Sequence, residues 1–175
     1  MLQLFNNKNK GKNGGNGGSI NDGVKIAVRG LNVSLGGRQV LDNVDLDIKT
    51  GKTLVIMGLS GMGKSTMIRS ILRLLEPESG QIFFEGKDIL QLNEHELDEA
   101  RSRIGMVFQK AALFDSMTIS ENVGFGLKEH GLLKGDELNK KVMEMLDLVD
   151  LSGKENALPS ELSGGMQKRA SLARV

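Results

Sequence analysis

Cysteine is absent from this sequence, as are tryptophan and tyrosine, and histidine and proline occur only twice each. Without cysteine there is no disulfide framework, no thiolate metal site and no thiol nucleophile. His95 and His130 are too few for a multi-histidine metal site. No apolar run approaches the roughly 18 residues that a membrane-spanning helix needs, and no apolar signal segment opens the N-terminus. The expectation is a cytoplasmic protein that touches a membrane only through a partner. Excess charge is missing too: 23 Lys and Arg oppose 22 Asp and Glu, so composition points to no nucleic-acid partner.

What is present suits one soluble domain. The 175 residues are 39% hydrophobic and 26% charged, enough for one core and too short for two ordinary domains. Between Asn6 and Gly18 lie five Asn and five Gly, with Lys8, Lys10 and Lys12 as the charges. Such a segment buries too little to offset its ordering entropy, so residues 1–23 are expected to be a disordered tail. A solvated tail is preferred over a basic one touching anionic lipid.

Order is expected from Val24. Alternation at Val44, Leu46 and Ile48 marks a half-buried strand after a "GGR" turn at 36–38. The continuous apolar run "TLVIM" (53–57) reads as a strand buried on both faces. A helix is expected over 64–75, closed off by Pro77, then strands at "QIFF" (81–84) and "IGMVF" (104–108) with a short helix over 94–103 between them. From Ala111 strand signals cease. Leu138, Val142, Met145, Leu146 and Val149 fall at helical spacing.

"GLSGMGKST" (58–66) fits G-x-x-x-x-G-K-[ST] between an apolar run and a helix. Gly58, Gly61 and Gly63 let the backbone fold into a nest of N–H groups. The helix behind adds its positive end. Lys64 supplies a mobile charge for β- and γ-phosphates, and the Ser65 hydroxyl can ligate Mg²⁺. Leu59, Ser60, Met62 and Thr66 complete the loop. The pattern implies a bound nucleoside triphosphate; a glycine turn with a surface lysine is the plainer alternative.

"LSGGMQKR" (162–169) and the "VFQ" that ends at Gln109 together resemble the ATP-binding-cassette (ABC) family, whose signature motif is LSGGQ. Lys64 and Gln109 are 45 residues apart (109 − 64), and Gln109 and Ser163 are 54 apart (163 − 109). A helix that opens on Ser and two Gly is by itself an ordinary cap. In one chain with a P-loop and Gln109, it reads as the signature.

The resemblance implies an α/β fold over 24–175: a P-loop NTPase (RecA-like) core with an antiparallel β subdomain and an α-helical subdomain at about 111–165, incomplete at the C-terminus. It implies ATP and Mg²⁺ as cofactors. Gln109 would sense the metal and the attacking water, with Ser65 as the other metal contact. Ser163, Gly164 and Gly165 would close over the ATP of a second nucleotide-binding subunit packed head to tail. The other partner implied is an integral membrane permease, which places the chain peripherally on the cytoplasmic face of the inner membrane.

Segments 110–131 and 158–166 look like the branch that powers Mla-type phospholipid transport, which adds lipid-binding components as partners. Phe114, Asp115 and Met117 would then face the permease. DNA-repair clamps of this family carry coiled coils or zinc inserts, and this chain has neither heptads nor Cys.

Two departures stand out. The family places an adenine-stacking ring on its first strand, where this chain has Leu35. No apolar strand here ends in Asp-Glu (the Walker B element), and both histidines precede the signature, on the wrong side for the switch histidine. A truncated or frameshifted chain is the simplest reading. Residues 1–175 alone are expected to bind without turning over ATP, and to be marginally stable. A binding-only module is the remaining alternative.

Overall fold

The computed structural model describes residues 23–175 and the backbone of Leu2–Leu4. In chain order the elements are β1 (Leu2–Leu4), β2 (Val24–Leu35), β3 (Arg38–Lys49), α1 (Lys64–Ile71), β4 (Ser79–Phe84), β5 (Lys87–Asp88), α2 (Glu94–Arg101), β6 (Ile104–Met106), α3 (Ile119–Glu129), α4 (Gly135–Asp147) and α5 (Gly164–Ala173), with 3-10 turns at Ile89–Gln91 and Pro159–Glu161. They form two compact units, one of residues up to Arg103 and one of Leu2–Leu4 with Ile104–Val175.

The first unit is built on an antiparallel sheet in the order β3–β2–β4–β5. β2 lies between two neighbours, and its run from Lys25 to Val28 is buried without a break. The edge strand β3 alternates, with Val44, Leu46 and Ile48 half-buried as expected. Gly36 and Gly37, at φ 59° and 79°, make the two-residue turn between them; a tight hairpin needs positive φ at both positions. Gly80 of β4, at φ 111°, sits where a Cβ would lie 2.7 Å from the Gly30 carbonyl oxygen and from the Leu31 Cα. β4 can therefore pair with β2 across its register shift between Arg29 and Asn32 only because that side chain is missing.

α1 ends at Ile71, four residues short of the expected Leu75. Arg73 turns left-handed at φ 49°, and the Arg73 and Leu74 amides donate back to the Ser70 and Arg69 carbonyls at 2.9 and 2.8 Å. That wrap closes the helix before the apolar pattern runs out. Arg101 then donates to the Leu72 and Arg73 carbonyls at 3.1 and 2.9 Å, a cation at a negative helix end. α2 opens on a capping box between Asn93 and Glu96. Glu85 pairs with both Lys25 and Arg103, cations that also stand 5.5 and 5.4 Å over the Phe84 ring. Burial pushes the Glu85 carboxyl up, but the hydrogen bonds and charges of Lys25 and Arg103 outweigh it and hold the group below its usual value.

One expectation is corrected here. "TLVIM" forms no strand: residues 52–59 carry no regular structure, and Val55 and Met57 are 70% and 85% exposed. Strand propensity alone cannot hold an extended segment, which needs ladder partners for its backbone groups; no described strand pairs with it. Within the tail expected to be disordered, Leu2–Leu4 pairs antiparallel with β6, Leu2 opposite Met106. The rest of that tail up to Asp22 lies outside the described residues.

In the second unit, α3, α4 and α5 enclose Ile119, Val123, Val142, Leu146, Leu151, Leu162, Ala170 and Ala173, with Leu138, Met145 and Val149 packed alongside. The helical spacing read over 138–149 is thus the buried face of α4 and its exit. α3 begins on a capping box between Thr118 and Glu121, and the hydrogen bonds from Thr118 hold the Glu121 carboxyl below its usual value. "IGMVF" is a strand only as far as Met106.

Substituting Gly80→Ala is expected to destabilise the first unit by about 3 kcal/mol or more, since the obstacle is backbone that cannot give way. Gly86 has φ 84° but nothing within 4 Å of a Cβ, so Gly86→Ala should cost only about 1–2 kcal/mol. Urea unfolding of the two variants side by side measures the difference.

Candidate functional site

The phosphate loop sits in the first unit. Gly61 and Gly63 are left-handed, at φ 81° and 82°, where a side chain would be strained. Gly58 has no such need: its Cβ would meet only Met62 Cβ at 3.8 Å. Gly63 is the anchor, because a Cβ there would lie 3.0 Å from Val40 Cγ1 and Leu41 Cδ2 and 3.1 Å from the Val40 carbonyl. β3 is thus packed directly against the loop.

Behind the loop, α1 starts at Lys64 with no side chain capping it and no acid in its first turn. The first helical hydrogen bond runs from the Met67 amide to the Gly63 carbonyl at 2.8 Å, so the preceding amides lack helical acceptors. Lys64 Nζ donates to the Gly58 and Leu59 carbonyls at 2.8 and 2.6 Å, which holds an ammonium across the mouth of the loop. Ser65 is exposed beside it, while Thr66 is buried. Ser60, Leu59 and Met62 are exposed on the loop itself. An uncapped helix end, a left-handed turn and one cation fit a polyphosphate. Among the described residues no group of three or more His, Asp or Glu could hold a metal by itself.

Gln109 and the signature lie in the second unit. Gln109 is exposed in a bend three residues past the end of β6, not on a strand end. The segment after it is tied down by groups on two helices. Arg174, the C-cap of α5, donates to the Ala112 carbonyl at 2.7 Å and stands 5.9 Å over the Phe114 ring. Ala112 is itself left-handed, at φ 51°. Asn122 of α3 is fully buried. It accepts from the Phe114 amide at 2.7 Å and donates to the Phe114, Met117 and Thr118 carbonyls at 3.0–3.1 Å. Phe114 is 43% exposed, and Asp115 is exposed beside it.

Ser163 caps α5, its Oγ accepting from the Met166 amide at 3.3 Å. A Cβ on Gly164 would meet nothing within 4 Å, and one on Gly165 only Ser163 Oγ at 4.0 Å. Internal packing does not call for glycine at either position, and the helix end is open. Arg169 is engaged elsewhere, donating to the Val149 and Asp150 carbonyls at 3.0 and 3.3 Å, whereas Lys168 is exposed. Gln167 ties the 3-10 turn to α5 through the Pro159 and Leu162 carbonyls at 2.8 and 3.2 Å.

Asn122 and the anchoring contact of Arg174 escape a reading of the sequence by motif. For Asn122 the signal exists: a polar residue in the helical phase of Ile119 and Val123, both buried, must satisfy its amide internally. For Arg174 no local pattern identifies a partner 62 residues away.

The ABC transporter family model matches residues 41–175. The "Probable ribonucleotide transport ATP-binding protein mkl" of Mycobacterium leprae is 45% identical over 161 residues, 92% of this chain and 46% of that protein. The "Intermembrane phospholipid transport system ATP-binding protein MlaF" of Haemophilus influenzae is 44% identical over 150 residues, 86% of this chain and 57% of that one. A dimeric bacterial ABC transporter cassette, MJ0796, has a similar structure, with a TM-score of 0.77 at 35% identity over 85% of this chain and 68% of that chain. The chain spans about half the length of the curated relatives it matches.

Replacing Asn122 with alanine takes the acceptor from the Phe114 amide and a side-chain donor from three carbonyls, of which those of Phe114 and Thr118 keep the Met117 and Asn122 amides. The expected loss is about 2–4 kcal/mol, with residues 114–118 losing amide-exchange protection first. Hydrogen exchange read by mass spectrometry locates the effect, and unchanged protection at 114–118 would remove Asn122 as the anchor.

Proposed function

This chain belongs to the ABC transporter family, and from that premise we propose that it is the ATP-binding part of a transporter that moves phospholipid across or between membranes. The observation that carries nucleotide binding is the uncapped start of α1, with the Lys64 ammonium held across it by the Gly58 and Leu59 carbonyls. A triphosphate would displace those carbonyls and take the ammonium on its β- and γ-oxygens, while the loop amides receive the remaining charge. Mg²⁺, bound with the nucleotide, supplies charge neutralisation at those oxygens. Ser65 is the residue to meet it on this loop, and Gln109 is the second metal contact we assign.

Ser163, Gly164 and Gly165 are assigned to the γ-phosphate of the nucleotide in a second subunit, head to tail. Their open, glycine-bare helix end supports that role. Among the described residues no helix is long and apolar enough to cross a membrane, which fits a subunit that rides on a separate permease at the cytoplasmic face. The exposed Phe114 and Asp115, held in place by Asn122, are the contact we assign to it. Phospholipid is the preferred cargo because segments 110–131 and 158–166 resemble the Mla-type branch, and one relative at 44% identity is named for intermembrane phospholipid transport. A relative at 45% is named for ribonucleotide transport, so ribonucleotide is the second reading.

Lys64→Ala should weaken Mg-ATP binding about tenfold or more, the worth of a charge-assisted contact. Titration calorimetry on the parent and the variant measures this, and equal affinities would remove the phosphate-loop assignment. For cargo, capture from detergent-solubilised membranes should recover a multi-helix permease with lipid-binding components. A permease that carries nucleotide and no lipid would favour the second reading.

A further inference from the structure

The nucleotide reading leaves the base without an aromatic neighbour. The β2–β3 hairpin, which flanks the phosphate loop, contains no aromatic residue, and the whole sequence has no Tyr or Trp. Phe84, on the neighbouring strand, already has the cations of Lys25 and Arg103 against its ring. The hairpin itself can meet the base only with a side chain other than an aromatic ring.

The register of the hairpin shows what faces it. Val33 pairs with Leu41, Ser34 with Gln39, and Leu35 with Arg38, with a register shift between Val33 and Ser34. Val40 is the extra residue, a β-bulge. It brings Val40 and Leu41 to the same side, and both reach the position of a Cβ on Gly63 at 3.0 Å. Side chains alternate along a strand, and cross-strand partners share a face. Leu35, two residues after Val33 and opposite Arg38, therefore puts Arg38 on the face of the Val33–Leu41 pair, the face that meets the phosphate loop. Gln39 points the other way, donating to Asn32 and Asp42. Arg38 stands roughly 7 Å along the strand from Val40, the order of separation between the phosphates and the base of a nucleotide. It is exposed, and no ion pair among the described residues engages it.

We propose that Arg38, seated beside Leu35, is the base-contacting residue of this site, its guanidinium plane stacking on the purine ring where an aromatic side chain would otherwise lie. The proposal rests on the nucleotide-binding reading above and adds the residue that holds the base. A guanidinium lies flat on a π-face and reads little of the ring's edge. The site should therefore take ATP and GTP with affinities within about tenfold of each other.

The test uses the 175-residue chain, with binding of Mg-ATP, Mg-GTP and inorganic tripolyphosphate measured for the parent, Arg38→Ala, Arg38→Lys and Lys64→Ala. Arg38→Ala should weaken ATP and GTP alike by about threefold to thirtyfold and leave tripolyphosphate unchanged. Arg38→Lys keeps the charge but not the plane, and should lose nearly as much. If Arg38→Ala weakens tripolyphosphate as much as ATP, or if Arg38→Lys keeps full ATP affinity, Arg38 is a charge near the phosphates and the stacking role falls. Should Lys64→Ala weaken all three ligands while Arg38→Ala weakens none, the base contact alone is refuted. Lys64→Ala without effect on any ligand refutes the nucleotide reading, and the base contact with it.

Discussion

The start of α1 is left electrostatically open, and the candidate site depends on it. α2 and α3 have capping boxes with Glu in the first turn, and α4 has Asp136 and Glu137 there. α1 has neither a side-chain cap nor an acid, and α5 has Ser163 at 3.3 Å but no acid. A missing cap costs about 1 kcal/mol, and a first-turn carboxylate would have added a few tenths more. α4 also lacks a side-chain cap, but the two of these helices without an acid in the first turn are those that follow the phosphate loop and open on Ser-Gly-Gly. An acid in either first turn would repel an incoming phosphate. The stability forgone is therefore what leaves both helix ends able to accept an anion.

Support for these helix ends comes from contacts of very different kinds. At the phosphate loop it is steric: Gly63 is pressed against Val40 and Leu41, so the bulge on β3 sets where the loop turns. In the second unit it is polar. Asn122, Gln167, Arg169 and Arg174 each donate to carbonyls of turns and helix ends outside the body of their own helix. Bends such as that at Ala112 bury little apolar surface and have few backbone donors for their carbonyls. Long donors reaching from packed helices solve both problems. The segment after Gln109 is consequently held by α3 and α5 together.

Much of this was readable from local chemistry. The glycine-lysine-serine loop, the Ser-Gly-Gly helix start, the half-buried alternation of β3 and the helical spacing over 138–149 all depend on residues near one another in sequence. What escaped depends on partners far away. "TLVIM" has the composition of a core strand, but a strand exists only by pairing, which composition does not supply. The apolar pattern over 64–75 cannot report that Arg73 turns left-handed. Gly80 looks like any glycine until β2 is laid beside it, where an added Cβ would meet backbone at 2.7 Å.

The loop's two ends are therefore unequal. Its exit is fixed by α1 and by Gly63 against β3, while its entry, residues 52–59, has no ladder and exposes Val55 and Met57. Within the loop, Lys64 supplies part of the missing order by bonding the Gly58 and Leu59 carbonyls. That bond is the one a triphosphate would take for itself. On the proposed reading, binding would exchange an internal tie for an external one that engages the same ammonium and the loop amides at once. A ligand held in this way stabilises the folded loop in proportion to the logarithm of its concentration over its dissociation constant. On that reading, order at the entry and occupancy of the cradle would be a single equilibrium, with Lys64 on both sides of it.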